Sequence, residues 1–491
     1  MSKEQTNNSK QAAWTAIGSL FSFGFSIVSS MILSRYFDKA DYGTYKQAMY
    51  VYNTLLTVFA LGLPGAYTYF LPRVDVREAK SLIKKITNIF FLLGVVFSLL
   101  LFTCSDLIAR YMNNDDLADA LRIFAPVPLL MLPTLGLEGI LSTFRKNRFM
   151  TCYTISTRLF MLLCVSFPVI ALGKGYKEAL YGFVISSVIN FVLALYLKYL
   201  PVKNEVNNKT SVGFKDIFSY SLPMLTASLW GILLHSSDQF FISRYFGSEV
   251  FAEFSNGAIP LPFVGMIASS CSVVLSPIIS KIANSNVDPK KELYPLWLSV
   301  FKKSAKLVYP LLIYCIFFSD IIMIILYGGK YENSGIYFSI RSILSFFDVI
   351  IYAPLVVNIG KVKYYSNVHM AAAIAIVCLE YISILTINSP YAICVVSLLV
   401  NIGKSFALLW VVSRCFNTKI HELFPIKVLA LILIPSCLIL GLEHYVLIDV
   451  FSVKPIISLI LSFCIYGTAF MLYSYFVKLD YLSIIKPILR K

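Results

Sequence analysis

The sequence predicts an all-α polytopic membrane protein of about 14 transmembrane helices, arranged as two pseudo-symmetric six-helix bundles followed by two C-terminal helices. The first observation is composition: of 491 residues, 58% are hydrophobic and only 14% are charged, and apolar stretches of 18 or more residues recur. Such stretches are long enough to cross a bilayer as helices and too long for the strands of a membrane barrel. The second and third observations are the alternation of basic loops and a short repeated motif.

Fourteen apolar segments are predicted to span the membrane, joined by segments too short to fold as separate domains. The longest connection, near 281–302, is charged and has about twenty residues. The first apolar segment is too long for a signal peptide, so we expect it to remain as helix one. The predicted spans are 12–34, 46–70, 87–109, 121–144, 151–173, 178–200, 218–242, 250–280, 303–327, 336–358, 366–388, 390–413, 425–442 and 455–477.

Lysine and arginine residues alternate between the predicted loops and orient the chain. If the N-terminus is cytoplasmic, 29 of the 42 basic residues fall in inner segments and 11 in outer ones. The positive-inside rule therefore predicts that both termini are cytoplasmic. The same loops account for the net charge of +16, so we expect no nucleic-acid partner.

The tetrapeptide Ser-Arg-Tyr-Phe occurs twice, at 34–37 and at 243–246, and each copy ends a long apolar run. Aromatic residues follow both copies at the same spacing, which predicts two related lobes, 1–200 and 201–415, with two further helices in 416–491. Arg35 and Arg244 are expected to end helices one and seven at the outer face. They either anchor the helix ends in the interface or form a cationic outer mouth that attracts anionic lipid head groups.

The repeat aligns a stripe of small or polar residues on helix one with one on helix seven. The matched pairs are Ser19 with Ser228, Ser22 with Gly231, Ser26 with His235, and Ser29 with Asp238. Their spacing places each stripe on one helix face. Small residues allow close helix packing, whereas ionisable residues within a span favour a water-filled cavity. Asp238 lies near the outer end of its span, so its side chain reaching the interface is a further alternative.

Five other charged residues within the predicted spans are candidates for a substrate or coupling site. Glu138 and Arg158 lie at similar depth on helices four and five, where they either pair or line a charged path. Asp348 on helix ten nearly corresponds to Glu138 in the repeat, with an offset of 210 residues instead of 209. Glu380 and Lys404, on helices eleven and twelve, differ in depth by about 9 Å and can pair only if their side chains bend.

Proline and glycine residues are predicted to break two spans. Bent helices in a two-lobed protein fit alternating access, although they also occur in membrane proteins that transport nothing. The breaking residues are Pro126, Pro128, Pro133 and Gly136 in helix four, and Gly257, Pro260, Pro262, Gly265 and Pro277 in helix eight.

The sequence lacks three motifs that are typical of ATP-driven pumps and membrane hydrolases. It has no GxxxxGK[ST], HExxH or GxSxG motif, and its ten cysteines form neither a CxxC pair nor a cluster with histidine. We therefore predict that the chain is not an enzyme and that it uses no metal ion or cofactor.

Two stretches carry a resemblance to a known family: ILSRYF at 32–37 with DYGTY at 41–45, and DQFFISRYFG at 238–247. With these stretches the chain resembles the O-antigen type polysaccharide-biosynthesis flippases of the multidrug/oligosaccharidyl-lipid/polysaccharide exporter superfamily, which includes MATE-type transporters. It departs from the family pattern at Phe37-Asp38, where Leu-Gly is usual, and at Ala252, where glycine is usual.

The resemblance implies two helix bundles around a central cavity in the bacterial cytoplasmic (inner) membrane. Its implied partners are membrane lipids and a polyprenyl-diphosphate-linked glycan of O-antigen or capsule type, flipped to the outer leaflet. A glycan polymerase and other assembly proteins are left open as partners. Coupling to a proton or sodium gradient is common in the superfamily, and Asp238 with His235 is the candidate proton site. The alternatives are a MATE-type drug antiporter, a membrane glycan polymerase or glycosyltransferase, and a membrane scaffold that transports nothing.

Overall fold

A computed structural model of the chain describes residues 3–206, 208–283, 288–479 and 481, which hold helices and no strands. Thirteen helical segments in these ranges are long and apolar enough to cross a membrane. The number rises to 14 if the pair Pro289–Phe317 and Ser319–Tyr327, bent by 74°, is counted as one span. The predicted all-α fold and its helix number are therefore confirmed.

The α-helices are numbered in chain order, and short 3₁₀ and π turns between them are left unlabelled. They are α1 (Lys3–Tyr36), α2 (Lys39–Phe59), α3 (Pro64–Phe70), α4 (Val76–Thr103), α5 (Ser105–Tyr111), α6 (Asp116–Phe124), α7 (Val127–Met131), α8 (Leu137–Thr143), α9 (Asn147–Leu172), α10 (Tyr176–Tyr199), α11 (Phe214–Gly257), α12 (Pro262–Ala283), α13 (Pro289–Phe317), α14 (Ser319–Tyr327), α15 (Ser334–Asp348), α16 (Ala353–Asn358), α17 (Val362–Thr386), α18 (Pro390–Cys415), α19 (Ile426–His444) and α20 (Pro455–Phe476).

The chain forms two compact units, 1–252 and 253–491, which divide within α11. This helix is kinked at Gly247, whose φ of 83° lies in the left-handed region that glycine tolerates. These units are defined by their internal contacts, whereas the predicted lobes are defined by the sequence repeat, so the units do not test the lobes. The boundaries 1–200, 201–415 and 416–491 therefore stay a prediction.

In the first unit, α9 packs along both α1 and α10. Gly182 permits the close approach of α10, because a Cβ atom there would collide with the backbone carbonyl of Cys164 on α9. Leu163 and Phe167 on α9 are more than half exposed, as expected of a surface that contacts lipid.

Both predicted helix breaks are present. Helix four is divided into α6, α7 and α8, and Gly136 enters α8 with a φ of 77°. Helix eight is interrupted between Gly257 and Pro262. A further break, which the sequence analysis missed, divides helix two between α2 and α3, where Leu61 and Gly62 have φ values of 50° and 67°.

In the second unit, the prediction of a charged loop near 281–302 is wrong for most of that segment, because α13 begins at Pro289. Asp288 caps this helix and accepts a hydrogen bond from the backbone N–H of Lys290 at 3.0 Å. Leu293, Trp297 and Phe301 recur at every fourth position and are buried. Lysines on the other faces of the helix had concealed this apolar stripe.

Candidate functional site: a polar cavity in the first unit

A cavity of about 650 Å³ lies in the first unit. It is enclosed by α1, by the broken helix four, and by α9 and α10, and its position depends on that break. Ser19, Ser22 and Ser26 line it from α1, so the predicted stripe faces a cavity there instead of serving only helix packing. Asn190 of α10 adds an amide to these hydroxyls.

Glu138 of α8 and Arg158 of α9 both line this cavity. The structure shows no ion pair between these two described side chains, and Arg158 contacts the sulfur of Met161 at 4.0 Å. The predicted alternative of a structural salt bridge between Glu138 and Arg158 is therefore wrong. Both side chains are exposed to the cavity, and two opposite charges held apart in a membrane-spanning region favour a hydrated, ligand-accessible site.

The other candidates of the first unit lie outside the cavity lining. Ser29 follows the lining serines on α1, while His235 and Asp238 lie on α11. Asp238 is only 7% exposed, and its carboxylate accepts a hydrogen bond from the backbone N–H of Gln239 at 2.8 Å. His235 is exposed. The structure thus separates this pair from Glu138 and Arg158.

The charged candidates of the second unit form a different arrangement. Asp348, at the end of α15, lies within electrostatic range of Arg341 and Lys404. Lys404 donates a hydrogen bond to the Asn401 side chain at 2.8 Å. Glu380 is completely buried on α17. The possible Glu380–Lys404 pair stays a prediction, whereas the hydrogen bond of Lys404 goes to Asn401.

The residues around the repeated motif form a polar network within the first unit. Gln47 of α2 donates to the Ser243 hydroxyl at 2.8 Å and accepts a hydrogen bond from the Asn114 amide at 2.5 Å. A side chain at Gly43 would collide with the backbone carbonyl of Ser248. The second motif copy therefore packs directly against the segment that follows the first copy.

The two matched arginines have different surroundings. Arg244 donates to the carbonyls of Arg110 and Tyr111, at 2.8 and 2.9 Å, and so satisfies the C-terminal end of α5. Arg35 is exposed at the end of α1. Arg244 thus has a structural role, and the cationic outer mouth stays a prediction.

Lys198 is a buried cation that the sequence analysis missed, because it was counted as part of a cytoplasmic loop. It is completely buried at the end of α10 and donates to the carbonyl of Leu135 at 2.6 Å and to the hydroxyl of Tyr67 at 3.2 Å. The turn at Gly136 removes Leu135 from regular helical hydrogen bonding. Lys198 therefore stabilises the break that borders the cavity.

The family described as polysaccharide biosynthesis protein matches residues 9–283 of the chain. The capsular polysaccharide biosynthesis protein CapF of Staphylococcus aureus is 24% identical over 280 residues, covering 54% of this chain and 67% of CapF. The lipid II flippase MurJ, in an inward closed conformation, has a similar structure with a TM-score of 0.74 and 17% identity, over 94% of this chain and 98% of MurJ. An inward-facing MATE multidrug transporter gives a TM-score of 0.63 at 13% identity, over 84% and 98% of the two chains. These structures share the fold, and the family match over residues 9–283 confirms the predicted resemblance to the polysaccharide-biosynthesis family.

Proposed function

Because the chain belongs to the polysaccharide biosynthesis protein family, we propose that it moves a polyprenyl-diphosphate-linked glycan across the bacterial cytoplasmic membrane, from the inner to the outer leaflet. The polar cavity of the first unit carries this proposal. Its serine hydroxyls and the Asn190 amide suit the hydrogen-bonding groups of a sugar, while the Arg158 guanidinium suits a phosphate. The lipid tail would remain in the bilayer.

Transport by alternating access requires the cavity to open to one side of the membrane and then to the other. We assign closure of the outer side to the network of Gln47 with Ser243 and to the tight contact of Gly43 with Ser248. The first motif copy lies at the end of α1 and the second just before the kink of α11 at Gly247, both at the predicted outer face, which supports this assignment. It depends on the proposed orientation, in which both termini are cytoplasmic.

Coupling to an ion gradient is assigned to charged groups outside the polar cavity. The burial of Asp238 supports its proposed role, with His235, as a proton site on α11. In the second unit, the proximity of Asp348 to Lys404 supports a second charged site. Glu380 remains a candidate because a carboxyl group within a membrane-spanning helix is costly and marks functional sites.

A MATE-type antiporter of organic cations is the second candidate, favoured by the MATE-like fold and by Glu138 in the cavity. The two candidates depend on opposite charges. An anionic diphosphate needs Arg158, whereas an organic cation needs Glu138. Neutralising each residue separately therefore distinguishes the two functions.

The test uses Arg158→Gln and Glu138→Gln in a strain that depends on this chain for its surface glycan. The glycan proposal predicts that Arg158→Gln reduces surface glycan and traps the lipid-linked precursor at the cytoplasmic face. Arg77→Gln is the matched control, because Arg77 is exposed at the start of α4 and does not line the cavity. Immunoblotting confirms equal protein levels.

Normal surface glycan in the Arg158→Gln strain, at a normal protein level, would remove the proposed phosphate contact. Loss of resistance to cationic drugs in the Glu138→Gln strain, with normal surface glycan in both strains, would instead establish the antiporter.

A further inference from the structure

A cavity of about 1050 Å³ lies in the second unit, between the end of α18, the segment that follows it and the start of α19. Its walls are mainly apolar. Phe406 and Trp410 line it from α18, and Leu433 and Ile434 line it from α19. Trp410 and Ile434 are exposed, as expected where a helix surface is open to lipid chains.

One end of this cavity is cationic. Arg414 and Lys419 line it, together with His421, and among the described residues no carboxylate side chain does. The guanidinium of Arg414 lies 5.3 Å from the centre of the Trp410 ring, so the positive charge adjoins the apolar wall. The nearby carboxylate of Glu422 is outside the lining and accepts a hydrogen bond from the backbone N–H of Lys419 at 3.3 Å.

The segment between α18 and α19 is held in place by the preceding part of the second unit. Lys290 donates to the carbonyl of Asn417 at 3.1 Å, and the Tyr294 hydroxyl donates to the carbonyl of Glu422 at 2.8 Å. The Phe424 ring lies 6.1 Å from that of Phe406. The cavity is therefore a preformed site, fixed by α13.

We propose that this cavity binds an anionic glycerophospholipid, with its phosphate at Arg414 and Lys419 and an acyl chain along Trp410. A guanidinium and an ammonium bind phosphate strongly, and aromatic rings pack well against the upper part of an acyl chain. The loop carrying these cations is predicted to be cytoplasmic, the side on which anionic lipids attract basic segments.

The arrangement favours a phospholipid over other ligands with a phosphate group. The polar lining residues Ser413, Asn417 and Thr418 lie close in sequence to Arg414 and Lys419, so they belong to the cationic end. A lipid-linked glycan would need polar groups along a longer path, and free phosphate would gain nothing from the apolar walls. A zwitterionic head group would bring its own cation against the two basic residues.

The experiment measures lipid binding to the purified full-length protein in detergent by native mass spectrometry. Phosphatidylglycerol is titrated against phosphatidylcholine. We expect the unaltered protein to bind phosphatidylglycerol more tightly than phosphatidylcholine. Its affinity for phosphatidylglycerol should fall about fivefold in each of Arg414→Gln and Lys419→Gln, and about 30-fold in the double variant. Trp410→Ala tests the apolar wall and should also weaken binding.

The matched control is the double variant Lys361→Gln/Lys363→Gln, which removes two exposed lysines before and within the first turn of α17 that do not line the cavity. It should bind phosphatidylglycerol like the unaltered protein. Thermal unfolding without added lipid verifies that each variant is folded.

Three results would overturn the proposal: equal affinity for the two phospholipids, unchanged binding by the folded Arg414→Gln/Lys419→Gln variant, or displacement of phosphatidylglycerol by inorganic phosphate at similar concentration. Displacement by a polyprenyl phosphate at much lower concentration would assign the cavity to the transported lipid instead. Because surface glycan is not measured, failure here leaves the transport proposal standing.

Discussion

Replacing Gln47 with leucine tests whether the polar network around the second motif copy holds α2 against α11. Gln47 is completely buried, so leucine keeps most of its volume and removes both hydrogen bonds. Its partner Asn114 retains a hydrogen bond to the Thr44 hydroxyl at 2.8 Å. The Ser243 hydroxyl retains only the sulfur of Met112, a weak acceptor, at 3.3 Å.

The expected cost follows from these contacts. A neutral hydrogen bond contributes about 0.5–1.5 kcal/mol, and a buried polar group left without a good partner costs about 1–3 kcal/mol. Loss of the Gln47–Ser243 bond should therefore favour separation of α2 from α11 by about 1–3 kcal/mol, or about 5–150-fold in the equilibrium constant. A contact that opens during the proposed transport is expected to have a free energy of this size.

Hydrogen–deuterium exchange of the purified protein measures this equilibrium, because protected amides exchange when the local structure opens. Peptides covering 39–59 and 236–252 should exchange about 5–150-fold faster in Gln47→Leu. The exchange of peptides from the second unit should not change. Asn53→Leu, an amide-to-leucine change at an exposed position of α2, is the control. Unchanged exchange in Gln47→Leu, or the same increase in Asn53→Leu, would refute the assignment.

Three further substitutions address the frame of the polar cavity, each measured by the unfolding temperature of the purified protein. Lys198→Met leaves the Leu135 carbonyl without its donor and should destabilise the protein by about 1–3 kcal/mol. Gly136→Ala places a side chain at a φ of 77° and its Cβ against the buried Tyr67 ring, so it should cost about 2–5 kcal/mol. Gly182→Leu drives a side chain into the Cys164 carbonyl, separates α9 from α10, and should cost about 1–3 kcal/mol or prevent folding.

Matched controls make these outcomes specific. Lys203→Met removes an exposed lysine just beyond α10. Gly467→Ala and Gly467→Leu add the same side chains at a glycine of α20 that has open space around it. Unfolding temperatures equal to those of the controls would contradict the roles given to Lys198, Gly136 and Gly182.

The fold was largely predictable because a bilayer imposes length and composition on every span. Prolines and glycines also marked the breaks in helices four and eight. The break after α2 was missed although the sequence signals it: Gly62 has a φ of 67° and Pro64 begins α3. The first half of α13 was missed because hydropathy averages over all faces of a helix, whereas burial depends on one face.

The candidate site was predictable only where residues lie on neighbouring helices. Glu138 and Arg158 are joined by a short connection, so their common depth followed from the sequence, and the structure places both on one cavity. Lys198 and Leu135 are 63 residues apart, and their contact depends on how α10 packs against the broken helix. The separation of Asp238 from that cavity is likewise a matter of tertiary packing.

The two copies of the repeat have different surroundings in the structure. In the first copy the stripe, with Ser22 and Ser26, lines a cavity, whereas the matched second stripe carries His235 and Asp238 outside it. Arg35 is exposed, whereas its counterpart Arg244 closes the end of α5. If the two copies were equivalent, both stripes would line a cavity and both arginines would make the same contacts. This difference supports the function proposed above, in which the α1 stripe contacts the ligand and α11 forms part of the proposed outer closure.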